Sequence, residues 1–230
     1  MKKQIFRKSA LVLACILILS LAFYIYFSMK GNPIAYFRAK QAMQAYIVDN
    51  YDGVLTLGEI TYSAKAACFT GEVTEIRMSQ NRGALFYYPG TNYLSDDYAF
   101  RIRLKMEDEL TVLLSHLTRI QTGLDETKIC FYPHLDLPPF IYTMEDSYDE
   151  TLPAEIDIEL KQEYTSTELF AEEVLRILPV ISDSGITVKS LQFKSFLPDD
   201  GNKYYQVMLR APTANFDEVL KSIDILEAKK

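Results

Sequence analysis

Tyr98-Ala99-Phe100-Arg101-Ile102-Arg103-Leu104-Lys105-Met106 alternates apolar and polar side chains without a break. Period two puts Tyr98, Phe100, Ile102, Leu104 and Met106 on one face of a strand, and Arg101, Arg103 and Lys105 on the other. One apolar and one charged face is the pattern of an antiparallel sheet wet on one side. Upstream, Ile60, Tyr62 and Ala64 alternate in the same way. Phe69, Gly71 and Val73 mark a second strand, and Asn81-Arg82-Gly83 a turn before Leu85-Phe86-Tyr87-Tyr88. Ahead of these strands, Asn32 suits an N-cap and Pro33 a first helical position. Ile34, Phe37, Met43, Tyr46, Ile47 and Asn50 then follow at helical spacing to Asp52-Gly53. The expectation is a helix over about 33–50 packed on an antiparallel meander, in preference to a membrane-surface helix, for which its polar face is only weakly basic.

Downstream the period changes. Glu107-Asp108-Glu109 opens a helix whose stripe is Leu110, Leu113, Leu114, Leu117, Ile120 and Leu124, closed by Gly123. Ile129–Tyr132 and Phe140–Tyr142 read as short strands broken by Pro133, Pro138 and Pro139. The acidic run 145–153 reads as a linker. Ile156, Ile158 and Leu160 then alternate as a strand. Thr165 with Glu168 offers a capping box for a helix through Leu169, Phe170, Val174, Ile177 and Ile181, kinked or ended at Pro179. Ile186–Phe196 is a strand whose phase changes near Ser190, as at a bulge. Asp199-Asp200-Gly201-Asn202 turns into Tyr205–Ala211, and Asn215 with Glu218 caps a last helix bearing Phe216, Val219, Ile223 and Leu226. The fold class is α+β. One module covers 30–144 and a β-α-β-β-α sandwich covers 154–230, to which 127–143 offers a fourth strand.

The N-terminus is of another kind. Lys2, Lys3, Arg7 and Lys8 precede Ser9–Met29, which holds no charged residue. About 20 helical residues cross a bilayer's hydrocarbon core. A signal peptide cleaved near Ser20-Leu21-Ala22 would leave the apolar Phe23–Phe27 behind it. A lipoprotein reading at Cys15 would leave the apolar run continuing past the cysteine. The reading adopted is an uncleaved transmembrane anchor over 9–29. The basic tail 1–8 then stays cytoplasmic and residues 30–230 lie outside, by the positive-inside rule.

The part beyond the anchor carries all 31 acidic residues against 20 of the 24 basic ones, a formal net charge of −11. Such a surface disfavours nucleic acid and anionic lipid headgroups as partners, since both need a cationic surface. Cys68 and Cys130, 62 positions apart, form no metal-ligand spacing and are read either as buried thiols or as a bridge. The two histidines, His116 and His134, lack acidic or cysteine neighbours at ligand spacing. No phosphate-binding, dinucleotide or serine-nucleophile motif occurs. No catalytic, metal or cofactor-binding residue is therefore assigned. The acidic pairs, from Asp96-Asp97 to Asp199-Asp200, read as turns and solvated faces. Arg101, Arg103 and Lys105 form a basic stripe on the expected open sheet face, where they could grip a carboxylate or phosphate. The segment 85–88 is a candidate edge strand for peptide addition.

The layout of basic start and single anchor, with Gly31-Asn32-Pro33-Ile34, Tyr36-Phe37, Ala39-Lys40 and Tyr51-Asp52-Gly53, resembles the YfjL-like family. That family comprises uncharacterised membrane-anchored proteins of Gram-positive bacteria, and the resemblance implies no activity, cofactor or site residue. Two function classes follow. One is a non-catalytic, membrane-tethered module binding a protein or peptide at the cell envelope. The other is an envelope enzyme or cation-dependent factor using dispersed carboxylates.

Overall fold

The computed structural model describes residues 15–27, 30–137, 142–197, 200–210 and 215–227. They divide into two compact units, Met1–Arg101 and Ile102–Lys230. The segment 145–153, expected as a linker, lies within the second.

In the first unit, α1 (Pro33–Tyr51) precedes β1 (Leu55–Ser63), β2 (Cys68–Glu75), β3 (Arg82–Tyr88) and β4 (Tyr93–Asp96). The strands form an antiparallel meander in the order β1-β2-β3-β4. The expected helix on a meander is therefore present. Asn32 caps α1 by accepting a 2.9 Å bond from the Ile34 amide, with Pro33 just inside. Asn32→Ala is expected to cost about 0.5–2 kcal/mol, read as a lower thermal midpoint; an unchanged midpoint would mean the cap contributes nothing. Ala39, Met43, Ile47 and Tyr51, each four residues on, are the buried stripe of α1. Ile34 and Phe37, read from sequence into the packed stripe, are each 64% exposed. The segment 85–88 is no edge, because β3 lies between β2 and β4.

The decisive alternation proves helical. α2 runs Asp97–Thr122 and takes in Tyr98–Met106. Tyr98, Ile102, Met106, Leu110 and Leu114 are buried at a spacing of four, while Phe100 and Leu104 are over two-fifths exposed. An i, i+4 ladder falls on even positions and so mimics period two. Asp96 caps the helix by accepting from the Ala99 amide at 3.1 Å. Glu107, Asp108 and Glu109, expected in a first turn, therefore lie mid-helix.

In the second unit, β5 (Ile129–Leu135), β6 (Ala154–Leu160), α3 (Thr167–Ser182), β7 (Val188–Leu197), β8 (Asp200–Leu209), α4 (Phe216–Lys221) and β9 (Ile223–Glu227) follow. The sheet order is β5-β6-β7-β8-β9, with β6 and β7 parallel and the other pairs antiparallel. The segment 127–143 does supply a strand, but β6 and β7 are direct neighbours joined by a helical crossover. The core is fully buried Phe170, Ile177, Leu191, Phe193 and Val207, with Ile156 and Ile158 1% exposed.

Two local expectations change, and the bulge near Ser190 stands. α3 is capped by Ser166, one residue after Thr165, and Pro179 sits exposed inside its last turn without ending it. The last helix stops at Lys221, and Ile223–Glu227 pairs with β8 as a strand. Its capping box stands, with Asn215 and Glu218 exchanging two 3.0 Å bonds. The phase change near Ser190 is a register shift, Val188 and Ser190 pairing with the consecutive Ala154 and Glu155. Phe140, Ile141 and Asp199 lie outside the described residues.

Residues 15–27 are helical. Residues 9–14, 28 and 29 of the expected anchor lie outside the described residues, and among those described no helix is long and apolar enough to cross a membrane. Cys15, Cys68 and Cys130 are free thiols, so the bridge reading of the last two is set aside.

Candidate functional site

The basic stripe does not exist as a stripe. Arg101, Arg103 and Lys105 lie on α2, where residues two apart point in nearly opposite directions. Each faces an acid one turn away: Arg101 Nε to Asp97 at 2.6 Å, Arg103 Nε to Glu107 at 3.9 Å, and Lys105 Nζ to Glu109 at 3.6 Å. Lys105 also donates to the carbonyls of Met144 and Asp146 at 2.9 and 2.8 Å. Glu109 accepts the Tyr148 amide at 2.7 Å. These groups fasten the 143–153 segment to α2.

The second unit holds a groove of about 780 Å³ that the sequence did not announce. One wall is a single face of α2, with Thr111, Val112, Ser115, His116 and Arg119. The other is β5 from Ile129 to Tyr132, with Asp125–Thr127 and Lys161 at one end. Asp125 builds that end. Its carboxylate accepts the Thr127 amide at 3.1 Å and hydroxyl at 2.5 Å, and its carbonyl accepts the Ile129 amide at 3.0 Å. The two Thr127 bonds hold the Asp125 carboxyl below its ordinary range. Lys161 Nζ and the Cys130 thiol both reach the Glu126 carbonyl, at 3.1 and 3.9 Å. The bond to Cys130, then its charge, hold Lys161 above the ordinary lysine range. Tyr132 donates to Glu159 at 3.4 Å and is pushed up by desolvation first, then by Cys130 and Glu159.

Of the two histidines, His116 lines the groove and His134 is an exposed residue of β5. β5 is an edge strand, and part of its outer side is occupied. The Ile129 amide is bonded to Asp125, Pro133 has no amide hydrogen, and the Leu135 amide donates to Glu107 at 3.0 Å. Among the described residues no group of three or more His, Cys, Asp and Glu converges as a metal site.

The first unit holds a second polar cluster that sequence reasoning missed. Asp96 accepts from the phenols of Tyr51 at 2.6 Å and Tyr46 at 3.1 Å. Glu75, buried, accepts from Tyr98 and, at 2.9 Å, from Asn81. Burial first, then Asp96, pushes both Tyr46 and Tyr51 far above the phenol range. Phenols so held are fixed donors. The cluster ties the end of α1 to the start of α2.

A search of curated proteins and of solved structures finds no match. A family model does match, over residues 5–101, and its end coincides with the end of the first compact unit. Over that stretch the chain is similar to the YfjL-like, N-terminal domain, in agreement with the resemblance seen in Gly31–Gly53.

Proposed function

We propose that the chain is a single-pass membrane-anchored protein, with residues 9–29 in the bilayer, that presents its two units outside the cytoplasm as a non-catalytic module binding a protein or peptide segment. The observation that carries this reading is the exposure of the N-terminal helix. From Ile16 to Tyr26 every large apolar side chain is half exposed or more, on all faces of the helix. A helix that is apolar all round needs an apolar surrounding, and none of the described residues supplies one. The groove between α2 and β5 is the receptor surface. Lys161 and Tyr132 are shifted up, away from the range in which either would act as a base at neutral pH.

The test places a photo-crosslinking residue at Val112, which is 69% exposed on the groove wall. The full chain should stay in the membrane pellet through alkaline carbonate extraction and yield one discrete protein adduct from Val112, with none from a probe at the exposed Phe196. Release into the supernatant would end the anchor reading. Retention without an adduct would leave an anchored protein without the proposed receptor groove.

A further inference from the structure

The first unit is electrically polarised along its own length. α1 begins where Gly31 lies against the rings of Phe69 and Tyr62. Tyr62 and Phe69 are partners beside the β1–β2 turn. In a meander the β3–β4 turn, between Tyr88 and Tyr93, lies at the same end. That end holds Lys30, Arg38, Lys40 and Lys65, all exposed. None is ion-paired to a described residue. No acidic residue precedes Asp49, and none occurs between Glu59 and Glu72 or between Glu75 and Asp96. The unit's Asp52, Glu75, Asp96 and Asp97 gather at the opposite end, with the close of α1 and the start of α2, where Arg77, Arg82 and Arg101 accompany them. Residues 30–101 hold seven basic and seven acidic residues, so four cations without an acid among them at one end is a segregated charge.

The same end is apolar where it is not basic. Ile34, Phe37 and Arg38 share the outward face of α1, opposite the buried Ala39 and Met43. Ile34 and Phe37 are each 64% exposed, and Tyr93 is 59% exposed. Exposed apolar and aromatic side chains ringed by Lys and Arg are the composition of a helix lying at a membrane interface. Position agrees, because only five residues separate Phe27 from Pro33.

We propose that this end of the first unit is a lipid-binding surface. The first turns of α1 rest on an anionic bilayer, with Ile34 and Phe37 entering the headgroup–acyl boundary and Arg38, Lys40 and Lys65 facing lipid phosphates. The inference rests on the anchor reading, which brings this end to the membrane. It gives the short connection after the anchor a task, fixing which end of the unit faces lipid.

The chain has no tryptophan, so a single introduced tryptophan reports its own surroundings. The full chain, reconstituted into vesicles of phosphatidylcholine alone or of equal parts phosphatidylcholine and phosphatidylglycerol, would carry Ile18→Trp, Phe37→Trp or Met78→Trp in separate variants. Lipids brominated along the acyl chain are the quencher. Ile18→Trp reports the anchor, and Met78→Trp the far end. The expected result is strong quenching of Ile18→Trp in both vesicles. Phe37→Trp should lose most of its emission when phosphatidylglycerol is present and less without it, and Met78→Trp almost none. A cation near an anionic surface is worth about a fivefold change in partition, so adding Arg38→Gln and Lys65→Gln should remove the phosphatidylglycerol dependence. Quenching of Phe37→Trp no greater than of Met78→Trp, with Ile18→Trp quenched, would overturn the lipid surface and leave the anchor standing. An unquenched Ile18→Trp would overturn both.

Discussion

Tyr98→Ala is expected to destabilise the first unit by about 3–5 kcal/mol, the range for removing a large aromatic from a packed core. Tyr98 is fully buried, its ring meets that of Tyr51 edge-on at 5.5 Å, and its hydroxyl donates to Glu75. A Cβ built on Gly83 would lie 2.8 Å from the Tyr98 Cβ, so the strand is pressed against this residue. Truncation opens a cavity and also leaves a buried carboxylate one donor short, which adds to the loss. Phe100→Ala is the control, because Phe100 is 45% exposed on the same helix. It should cost less than half as much, with both variants compared by urea unfolding. Equal losses would sink the assignment, since two residues apart share a buried face only in a strand.

Gly31→Ala carries the second large effect, from two separate causes. Gly31 has φ +79°, a backbone region that costs a side-chain-bearing residue about 1–2 kcal/mol. Its added Cβ would also sit 2.7 Å from the Phe69 ring and 2.9 Å from that of Tyr62, and crowding of this kind costs about 1–3 kcal/mol. Gly53, at φ +71°, has nothing within 4 Å of such a Cβ. Gly53→Ala should therefore show the backbone cost alone. The difference between the two thermal shifts measures the aromatic crowding, and identical shifts would mean that the rings move aside freely.

How much was legible in the sequence depends on the range over which each signal acts. The cap at Asn32-Pro33, the capping box at Asn215 and Glu218, and the meander of β1–β3 are local patterns and stand in the structure. Tyr98–Met106 was ambiguous within itself, because residues 98, 102 and 106 satisfy both periods. The deciding text lay outside the window: Leu110 and Leu114 continue the spacing of four across Glu107-Asp108-Glu109, where alternation breaks. The groove and the tyrosine–carboxylate cluster had no such signal. Tyr46 and Tyr51 meet Asp96 across 50 and 45 residues, and His116 shares a groove with Lys161 only because β5 lies along α2. Chemistry assembled by tertiary folding leaves no spacing to read.

The partly occupied outer side of β5 has a consequence beyond the groove. A sheet edge with unpaired amides is a template on which other copies of a chain can add strands and grow into fibrils. Along this edge Asp125 and Glu107 take two amides and Pro133 offers none. Copies of the protein crowded side by side at high local density are thereby denied one hydrogen-bonded route to cross-β aggregation, at a border where the fold would otherwise invite it.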